Sequence, residues 1–335
     1  MSNGDTGGGT NVRARRFDAD RTDEVLELDD ALAKRPSERQ LLWIDITGEM
    51  PPDLVPRLAE TFELDESTER QLAAPATQPV FRVHGDYLRI TVVASPDPKH
   101  PRQSPWLSVV AVPNAVITHH LEPIAYLEQL DEQVEADTAY GLLDSESFVA
   151  TLLHMTVTSY LRAVDKIEEV VEQLDDRSLR DRHRGRLLED LVDVRGRIAD
   201  LRRLLAQHRF VYAALQGVVM ESPDDQRDGK GAAALADVAG RYADAMAAVD
   251  GARDAVLGSF NVYMTRTAQR TNDVMKVLTL VTVLLLPGSL IAGLLGMNVV
   301  VPLSKDDPMS FWFVLTGVAL LAVVITVVAR RRGWL

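Results

Sequence analysis

The sequence predicts an α+β domain followed by a long helical stalk and two C-terminal transmembrane helices. Short β-type runs dominate residues 11–121, and apolar residues at helical spacing dominate residues 122–296. Near the end of the chain, residues 277–296 and 310–329 each provide 20 positions without an ionisable side chain. A helix needs about 20 mostly apolar residues to cross a bilayer, so these segments predict two membrane spans.

The first region, residues 11–121, is predicted to be a mixed α/β domain that follows a flexible tail of residues 1–10. Turn-forming Asn, Gly, Asp and Pro separate its β-type runs, as in Gly85-Asp86 and Pro113-Asn114. The predicted strands are residues 12–17, 41–46, 80–83, 87–94, 107–112 and 115–118, and the predicted helices are residues 53–62 and 66–72.

The second region, residues 122–231, is predicted to contain an antiparallel helical pair. Apolar residues recur at steps of three and four over residues 145–174 and 184–216, with acidic and basic residues between them. Pro223 and the polar residues 226–231 end this pattern.

The third region, residues 232–296, is predicted to be a stalk helix that continues into the first membrane span. Its first proline is Pro287, inside the span, where neighbouring helices can satisfy the freed carbonyl group. A helix of about 60 residues would be about 90 Å long. Such a rod is not stable alone, so we expect it to pack on copies of itself or on the helical pair.

The remaining segments are an outer loop of residues 297–309, the second span and a basic end of residues 330–335. Lysine and arginine are enriched on the cytoplasmic side of membrane spans. We therefore expect a plasma-membrane protein with both termini and the α+β domain in the cytoplasm. The flanking basic residues are Arg266, Arg270 and Lys276 before the first span, and Arg330, Arg331 and Arg332 after the second.

The amino-acid composition limits the classes of partner that the chain is expected to bind. Its net charge is -13, and a strongly acidic chain without a basic stripe is a poor candidate for binding nucleic acid. Metal cations fit such a surface, and an acidic surface equally serves the solubility of a cytoplasmic domain. The absence of cysteine excludes a disulfide framework and fits a domain in the reducing cytosol.

A polar stripe follows one face of the first span. Thr, Ser and Gly on such a face could allow tight helix contacts in lipid, or could line a pore between symmetric copies of the helix. A hairpin of two spans cannot enclose a passage alone, so a channel would have to be a homo-oligomer. The stripe consists of Asn272, Met275, Thr279, Thr282, Leu286, Ser289, Gly293 and Gly296.

The same segment resembles a known family. Residues 272–279 read Asn-Asp-Val-Met-Lys-Val-Leu-Thr, Pro287 follows, residues 293–298 read Gly-Leu-Leu-Gly-Met-Asn, and the chain closes on basic residues, Trp and Leu. Together these features closely resemble the CorA-type divalent-cation channels. The short Gly-Met-Asn motif becomes specific because it lies at the outer end of the first of two terminal spans.

The resemblance implies a funnel-shaped homopentamer in which the first spans line the pore and the second spans surround them. Members of the family carry magnesium, often also cobalt or nickel, down the membrane potential, and one branch carries zinc. The resemblance places the outer filter at Gly296, Met297 and Asn298, and the pore narrowings at Asn272, Met275, Leu278 or Thr279, and Leu286. It also implies that internal magnesium closes the channel through the cytoplasmic domain, and that no covalent cofactor is needed.

The chemistry of these residues agrees with the resemblance. Magnesium gives up its inner water shell reluctantly, so its pore should offer neutral oxygen atoms to the hydrated ion. The Asn298 amide and the Gly296 carbonyl provide such atoms. The sequence contains no Walker loop, nucleophile elbow or metal-hydrolase motif, which argues against an enzyme and fits passive flow.

Departures from the family pattern leave the choice of ion open. Leu295 stands where many members have an aromatic residue, and residues 299–303 lack the glutamate of many magnesium members and begin more like the zinc branch. Zinc prefers nitrogen and sulfur ligands, and the first span has neither His nor Cys. A different class of protein, a membrane-anchored helical scaffold or sensor without flux, would not need the polar stripe.

Acidic residues of the stalk are candidate regulatory ligands. Asp237 and Asp244 lie seven residues apart on one helix face, and Asp254 follows. Two interpretations fit: either this face is simply solvated, or its carboxylates bind regulatory magnesium together with a neighbouring subunit. Asp65, Glu66 and Glu69 of the α/β domain are possible partners. The adjacent His119 and His120 lie on a strand and point to opposite faces, so we do not expect them to share a metal ion.

Overall fold

The computed structural model describes residues 10–20, 23–37, 39–133, 143–180, 184–218, 230–297 and 308–332. The chain divides into two compact units, Met1–Ser259 and Phe260–Leu335. The first unit contains the α/β region and the helical pair, which therefore do not form separate bodies. The boundary between the two units falls within the longest helix.

A seven-stranded sheet organises the first unit, with the strand order β2-β1-β3-β7-β6-β5-β4. Each strand predicted from the sequence is present, and β2 is an addition that the sequence pattern did not reveal. The strands are β1 (Asn11–Asp18), β2 (Glu24–Leu26), β3 (Gln40–Thr47), β4 (Val80–His84), β5 (Tyr87–Val93), β6 (Trp106–Val112) and β7 (Ala115–His120).

Strand pairing follows from the connections. The predicted turns join β4 to β5 and β6 to β7, with Gly85 at φ 52° and Asn114 at φ 60° in the left-handed region that Gly and Asn tolerate best. These hairpins are antiparallel, whereas β3 and β7 are parallel, with Ile44 opposite Ile117. Parallel strands need a long crossover, and here the chain between β3 and β7 provides it.

Both faces of the sheet are covered, which explains why β3 is apolar at every position from Leu41 to Ile46 except Asp45. On one face, Ile44 packs in a core with Leu58 and Phe62 of helix α2 (Leu54–Phe62). On the other, the Trp43 ring lies 5.8 Å from Phe148 of helix α5 (Ser145–Arg180). A strand buried on both faces has no polar side to alternate with its apolar one.

The helices of the first unit match the predicted pattern with two corrections. The predicted helices of the α/β domain are present as α2 and α3, whereas α1 and α4 were not predicted. The predicted helix over residues 184–216 is broken, so that α6 ends at Gln207 and α7 begins at Arg209. The remaining helices of this unit are α1 (Leu28–Ala33), α3 (Glu66–Leu72), α4 (Ala125–Gln133), α6 (Arg184–Gln207) and α7 (Arg209–Val218).

His208 causes the break between α6 and α7. Its ring is 1% exposed, and its Nδ1 atom donates to the Leu204 carbonyl at 2.7 Å. The Nε2 atom accepts from the backbone N–H of Val93 at 2.9 Å, at the end of β5. The side chain therefore ties the corner of the helices to the sheet, and it can do so only as a neutral imidazole with the proton on Nδ1.

We expect His208 to make folding stability depend on pH. Burial lowers the pKa of His208 to about 4, from an ordinary value of 6.5. Below pH 6.5 the unfolded chain takes up a proton that the folded protein excludes, so stability should fall by about 3 kcal/mol between pH 6.5 and pH 4. Denaturant unfolding of the full chain at several pH values measures this loss. His208→Gln should remove that part of the pH dependence, and an unchanged pH profile would contradict the assignment.

The longest helix, α8 (Lys230–Leu295), packs on the preceding helices, as predicted for the stalk. Tyr242 stacks on Tyr212 of α7 with ring centroids 4.3 Å apart, and its hydroxyl donates to the Leu205 carbonyl at 2.8 Å. Arg202 of α6 donates to Asp250 at 2.6 Å. In the second unit, α8 continues through Pro287, and α9 (Pro308–Arg331) extends slightly beyond the predicted span at both ends.

Candidate pore and metal-sensing residues

One face of α8 packs against α9 in the second unit. The residues on this face are half-buried, whereas most of the helix around them is exposed. Gly288 lies on it, at a point where an added Cβ atom would be 3.6 Å from Val318 of α9. The half-buried residues recur at steps of three and four and include Leu280, Leu284, Gly288, Ile291 and Leu295.

The polar stripe lies on the opposite side of the same helix. Successive residues of a helix turn by about 100°, so Leu286 lies about 160° around the axis from Leu284. Leu278 flanks the stripe and is exposed. The structure thus places the stripe together on a surface that α9 leaves open. All its members are exposed, namely Asn272, Met275, Thr279, Thr282, Leu286, Ser289, Gly293 and Gly296.

The threonines of the stripe present oxygen acceptors to the outside. The hydroxyl of Thr279 donates to the Met275 carbonyl at 2.8 Å, and that of Thr282 donates to the Leu278 carbonyl at 2.9 Å. Because each hydroxyl proton is used within the helix, the free lone pairs of each oxygen remain available to water or to a hydrated cation. The stripe therefore offers neutral oxygen atoms, which is the chemistry expected of a path for hydrated magnesium.

The Gly-Met-Asn motif begins where α8 ends. The backbone N–H of Gly296 donates to the Ala292 carbonyl at 3.0 Å, and that of Met297 donates to the Leu294 carbonyl at 3.3 Å. The last carbonyl groups of a helix lack intrahelical partners, so Gly296 can direct its carbonyl oxygen outward. Asn298 lies outside the described residues, as does the outer loop that follows it.

The acidic stalk residues are exposed and do not meet the other predicted ligands within one chain. Asp237 pairs with Arg241 at 3.0 Å, and Asp254 lies 3.5 Å from Arg253. Seven residues of helix separate Asp237 from Asp244 by about 10.5 Å, too far for both to bind one ion directly. The described part of the chain contains no cluster of three or more acidic or histidine side chains that could hold a metal ion.

Small residues surround these carboxylates on the exposed face of α8. An exposed helix face rich in Gly and Ala allows the backbone of another helix to approach closely, and a polar side chain such as Asp237 could then reach a neighbour. A regulatory site on this face would therefore have to be completed by another copy of the chain. The exposed small residues are Ala233, Gly240, Ala243, Ala247, Gly251, Ala255 and Gly258.

The acidic residues of the α/β domain have local partners. Asp65 caps helix α3 by accepting from the Thr68 N–H at 2.6 Å, and its other oxygen lies 2.8 Å from Nδ1 of His84. The hydrogen bond from the Thr68 backbone, followed by weaker ones, lowers the pKa of Asp65. Glu66 faces Arg70 at 3.9 Å. Within the single chain, Asp65 therefore stabilises the start of helix α3 and contacts His84.

A buried polar network at the end of β3 escaped the sequence analysis. Asp45, 1% exposed, accepts from Arg13 at 2.7 Å and from the Thr118 hydroxyl at 2.6 Å, and it lies 3.1 Å from Nε2 of His120. Burial alone would raise the pKa of Asp45, but these partners together lower it. The position of the acidic Asp45 within the apolar sequence of β3 was the one feature of the sequence that could have indicated this network. His119 instead faces the Gly48 carbonyl at 3.0 Å, so the two histidines do not converge.

Within the residues that the structure describes, two helices are long and apolar enough to cross a membrane. They cover residues Gly231–Leu295 and Phe311–Arg331, and their most apolar windows reach mean hydropathies of 2.3 and 2.6. Those windows are not buried within the chain, as expected for surfaces that face lipid or other copies.

Comparisons with known proteins agree with these features. Residues 38–331 match the model of a family described as CorA-like Mg2+ transporter protein. The cobalt/magnesium transport protein CorA of Thermotoga maritima is 25% identical over 88% of this chain and 83% of its own length. The divalent cation transporter CmaX of Pseudomonas aeruginosa is 28% identical over 68% of this chain and 67% of its own.

A solved structure shows the same fold over nearly the whole chain. The CorA magnesium transporter of Methanocaldococcus jannaschii superimposes with a TM-score of 0.73 at 18% identity, covering 97% of this chain and 98% of that one. The chain is thus a membrane protein with two spans, and it is a transporter, not an enzyme. It belongs to the CorA-like family of divalent-cation transporters.

Proposed function

We propose that this chain forms a homopentameric channel through which magnesium, and also cobalt or nickel, enters the cell passively. The observation that carries the proposal is the polar stripe of α8, which faces away from α9. Exposed polar groups are costly in lipid, so the stripe must face water or other protein. Because one hairpin cannot enclose a passage, copies of α8 supply the remaining walls, and the resemblance to CorA-type channels supports five of them.

The proposed flow needs no chemical energy. Two positive charges that cross a potential of 100 mV gain about 4.6 kcal/mol, which is ample to drive uptake. The acceptor oxygens of Thr279 and Thr282 can hold the water shell of the ion without stripping it. Magnesium, which dehydrates reluctantly, is the substrate that fits this lining best.

Ion flux into proteoliposomes tests this proposal. The full chain is reconstituted, a negative internal potential is imposed, and uptake of magnesium, cobalt, nickel and zinc is followed with and without a proton gradient. We expect potential-driven magnesium uptake that does not require the proton gradient. Uptake of zinc in preference to magnesium would reassign the substrate, and a complete lack of flux would support a scaffold or sensor instead.

We propose further that both termini lie in the cytoplasm, because basic residues flank the spans on that side. Arg330 and Arg331 form the last turn of α9, and Arg332 follows. Replacing all three with Gln should reduce correct insertion more than conductance per channel, since they are the strongest orientation signal of the second span. Protease accessibility in membrane vesicles measures the orientation. Normal orientation and yield of the triple variant would contradict this assignment.

Internal magnesium is proposed to close the channel by binding between stalk helices. We expect the double variant Asp237→Asn/Asp244→Asn to remain open at magnesium concentrations that close the unmodified channel. Both side chains are exposed, so their loss should not affect folding.

The matched control for this prediction is Asp53→Asn/Asp86→Asn, which neutralises two exposed carboxylates of the α/β domain. Flux is measured against internal magnesium in proteoliposomes for both double variants. Closure of the stalk variant at the unmodified concentration would exclude these two residues as the sensor.

A further inference from the structure

A cavity of about 340 Å³ lies in the first unit, apart from the stripe and the acidic stalk face. Three elements supply its cationic side chains: Lys99 from the segment between β5 and β6, Lys166 from α5 and Arg197 from α6. The volume is near the lower end of the range for small-molecule sites, about 300–1,000 Å³. A ligand of this cavity would therefore be small.

The cationic groups of the cavity outnumber its single carboxylate. Asp97 already accepts from the Lys99 backbone N–H at 2.8 Å and lies 3.2 Å from Nδ1 of His100. Burial would raise the pKa of Asp97, but these bonds together lower it, so it is ionised at neutral pH. The lining thus carries three cations and one anion, and because Asp193 pairs with Arg197, a local excess of one positive charge remains in a chain of net charge -13.

Several of these N–H donors have no partner of their own. Arg197 uses one terminal nitrogen to pair with Asp193, whereas its Nε atom is buried without a hydrogen bond. Within the described residues, no carboxylate lies within ion-pair distance of the side-chain ammonium of Lys99 or Lys166, and both lysines are exposed at the rim. Unpaired donors that converge from three elements favour an anion with several oxygen atoms.

The floor of the cavity is apolar. Ile167 and Val194 are each 3% exposed, and Val170 and Pro98 complete the apolar lining. A fully hydrated inorganic ion would gain nothing from such a surface, whereas a ligand with an apolar group would bury it there. The cavity therefore combines a cationic rim with an apolar floor.

We propose that this cavity binds a phosphate monoester that carries a small apolar group. A phosphate monoester has three terminal oxygens for the three cationic side chains of the lining, and its negative charge complements their positive excess. Its apolar group would lie on Ile167, Val170 and Val194. The phosphate could belong to a soluble metabolite or to the headgroup of a lipid such as phosphatidate, and binding would join α5 and α6 to the segment after β5.

Calorimetric titration of the full chain in detergent tests the proposal with three probes. These are phenyl phosphate, inorganic phosphate, and dihexanoyl phosphatidate below its micellar concentration. We expect phenyl phosphate or the phosphatidate to bind roughly tenfold more tightly than inorganic phosphate, as burial of about 60 Å² of apolar surface would give. If phenyl phosphate binds more tightly than the phosphatidate, the ligand is a soluble metabolite, and if the phosphatidate binds more tightly, the ligand is a lipid headgroup. Binding of neither, or equal binding of inorganic phosphate, would overturn the proposal.

Variants locate the binding in the cavity. Lys99→Gln/Lys166→Gln should weaken binding of the tighter probe by about tenfold, since each exposed ion pair contributes about threefold. The control Lys34→Gln/Arg82→Gln removes two exposed positive charges elsewhere and should leave the affinity unchanged. Equal affinities of the two double variants would overturn the assignment to this cavity. Because the readout is binding and not flux, the result is independent of the proposed channel function.

Discussion

Asn298→Ala is expected to reduce magnesium uptake almost to background while leaving the oligomer assembled. Asn298 comes three positions after Leu295, the last residue of α8, so the substitution changes no residue of that helix. The neutral amide provides a carbonyl oxygen and an N–H group, which can hydrogen-bond the waters of a hydrated cation. A ring of such amides would select the ion at modest energy per contact, and Ala removes all of them.

Uptake into proteoliposomes, normalised to the amount of oligomer in each sample, measures this effect. Asn298→Gln keeps the amide and should retain more flux than Asn298→Ala. Asn298→Asp should not restore normal flux, because clustered carboxylates would bind a divalent ion too tightly to release it quickly. Uptake at the unmodified rate by a correctly assembled Asn298→Ala oligomer would refute the filter assignment.

Asp45→Asn is expected to destabilise the first unit by about 1.5–3 kcal/mol, the value of hydrogen bonds to a buried charged group. The substitution keeps the shape of the side chain but removes the nearest negative charge of Arg13, which then keeps only Asp131 at 3.2 Å, and it alters the partner of His120. The pKa of Asp45 is lowered in the folded protein, so its contribution is present above about pH 4 and is lost as the pH falls further. This pH range lies below the range in which His208 changes folding stability, so the contributions of the two residues can be measured separately.

Denaturant unfolding of the full chain, followed by tryptophan fluorescence, is a suitable measurement. Trp43 donates to the same Thr118 hydroxyl that bonds to Asp45, so it reports on the network directly. Asp86→Asn, in an exposed turn, is the matched control and should change stability by less than 0.5 kcal/mol or so. A loss below about 1 kcal/mol for Asp45→Asn would show that the network is not needed for folding.

Much of the fold could be predicted because strand and helix periodicities differ and turn residues separate them. The run over residues 41–46 predicted a strand, and Asn114 predicted the turn between β6 and β7. The two short elements β2 and α1 were missed for a physical reason. Strand β2 has only three residues, too few to show an alternating pattern of apolar and polar side chains. Helix α1 begins at Leu28, and the preceding Glu27 makes no side-chain cap that would mark the start of the helix.

Features that depend on distant contacts could not be predicted from local patterns. The break at His208 arises because its ring binds Val93, which is 115 residues away in the sequence. The Asp45 network likewise joins strands that are far apart in the chain. The polar stripe was predictable because helical periodicity alone places it on one face. Ligands that would meet only between copies, such as Asp237, give no cluster in one chain.

The stack of Tyr242 on Tyr212 has a mechanical consequence. Tyr212 follows His208 by one turn of α7, and His208 holds the end of β5 through Val93. Close-packed interiors transmit displacement instead of absorbing it, so a rotation of this part of α8 would apply torque to α7 and, through one imidazole ring, to the sheet. If the channel closes by a motion of the stalk, as proposed, that motion would move the sheet as well unless the tyrosine stack slips.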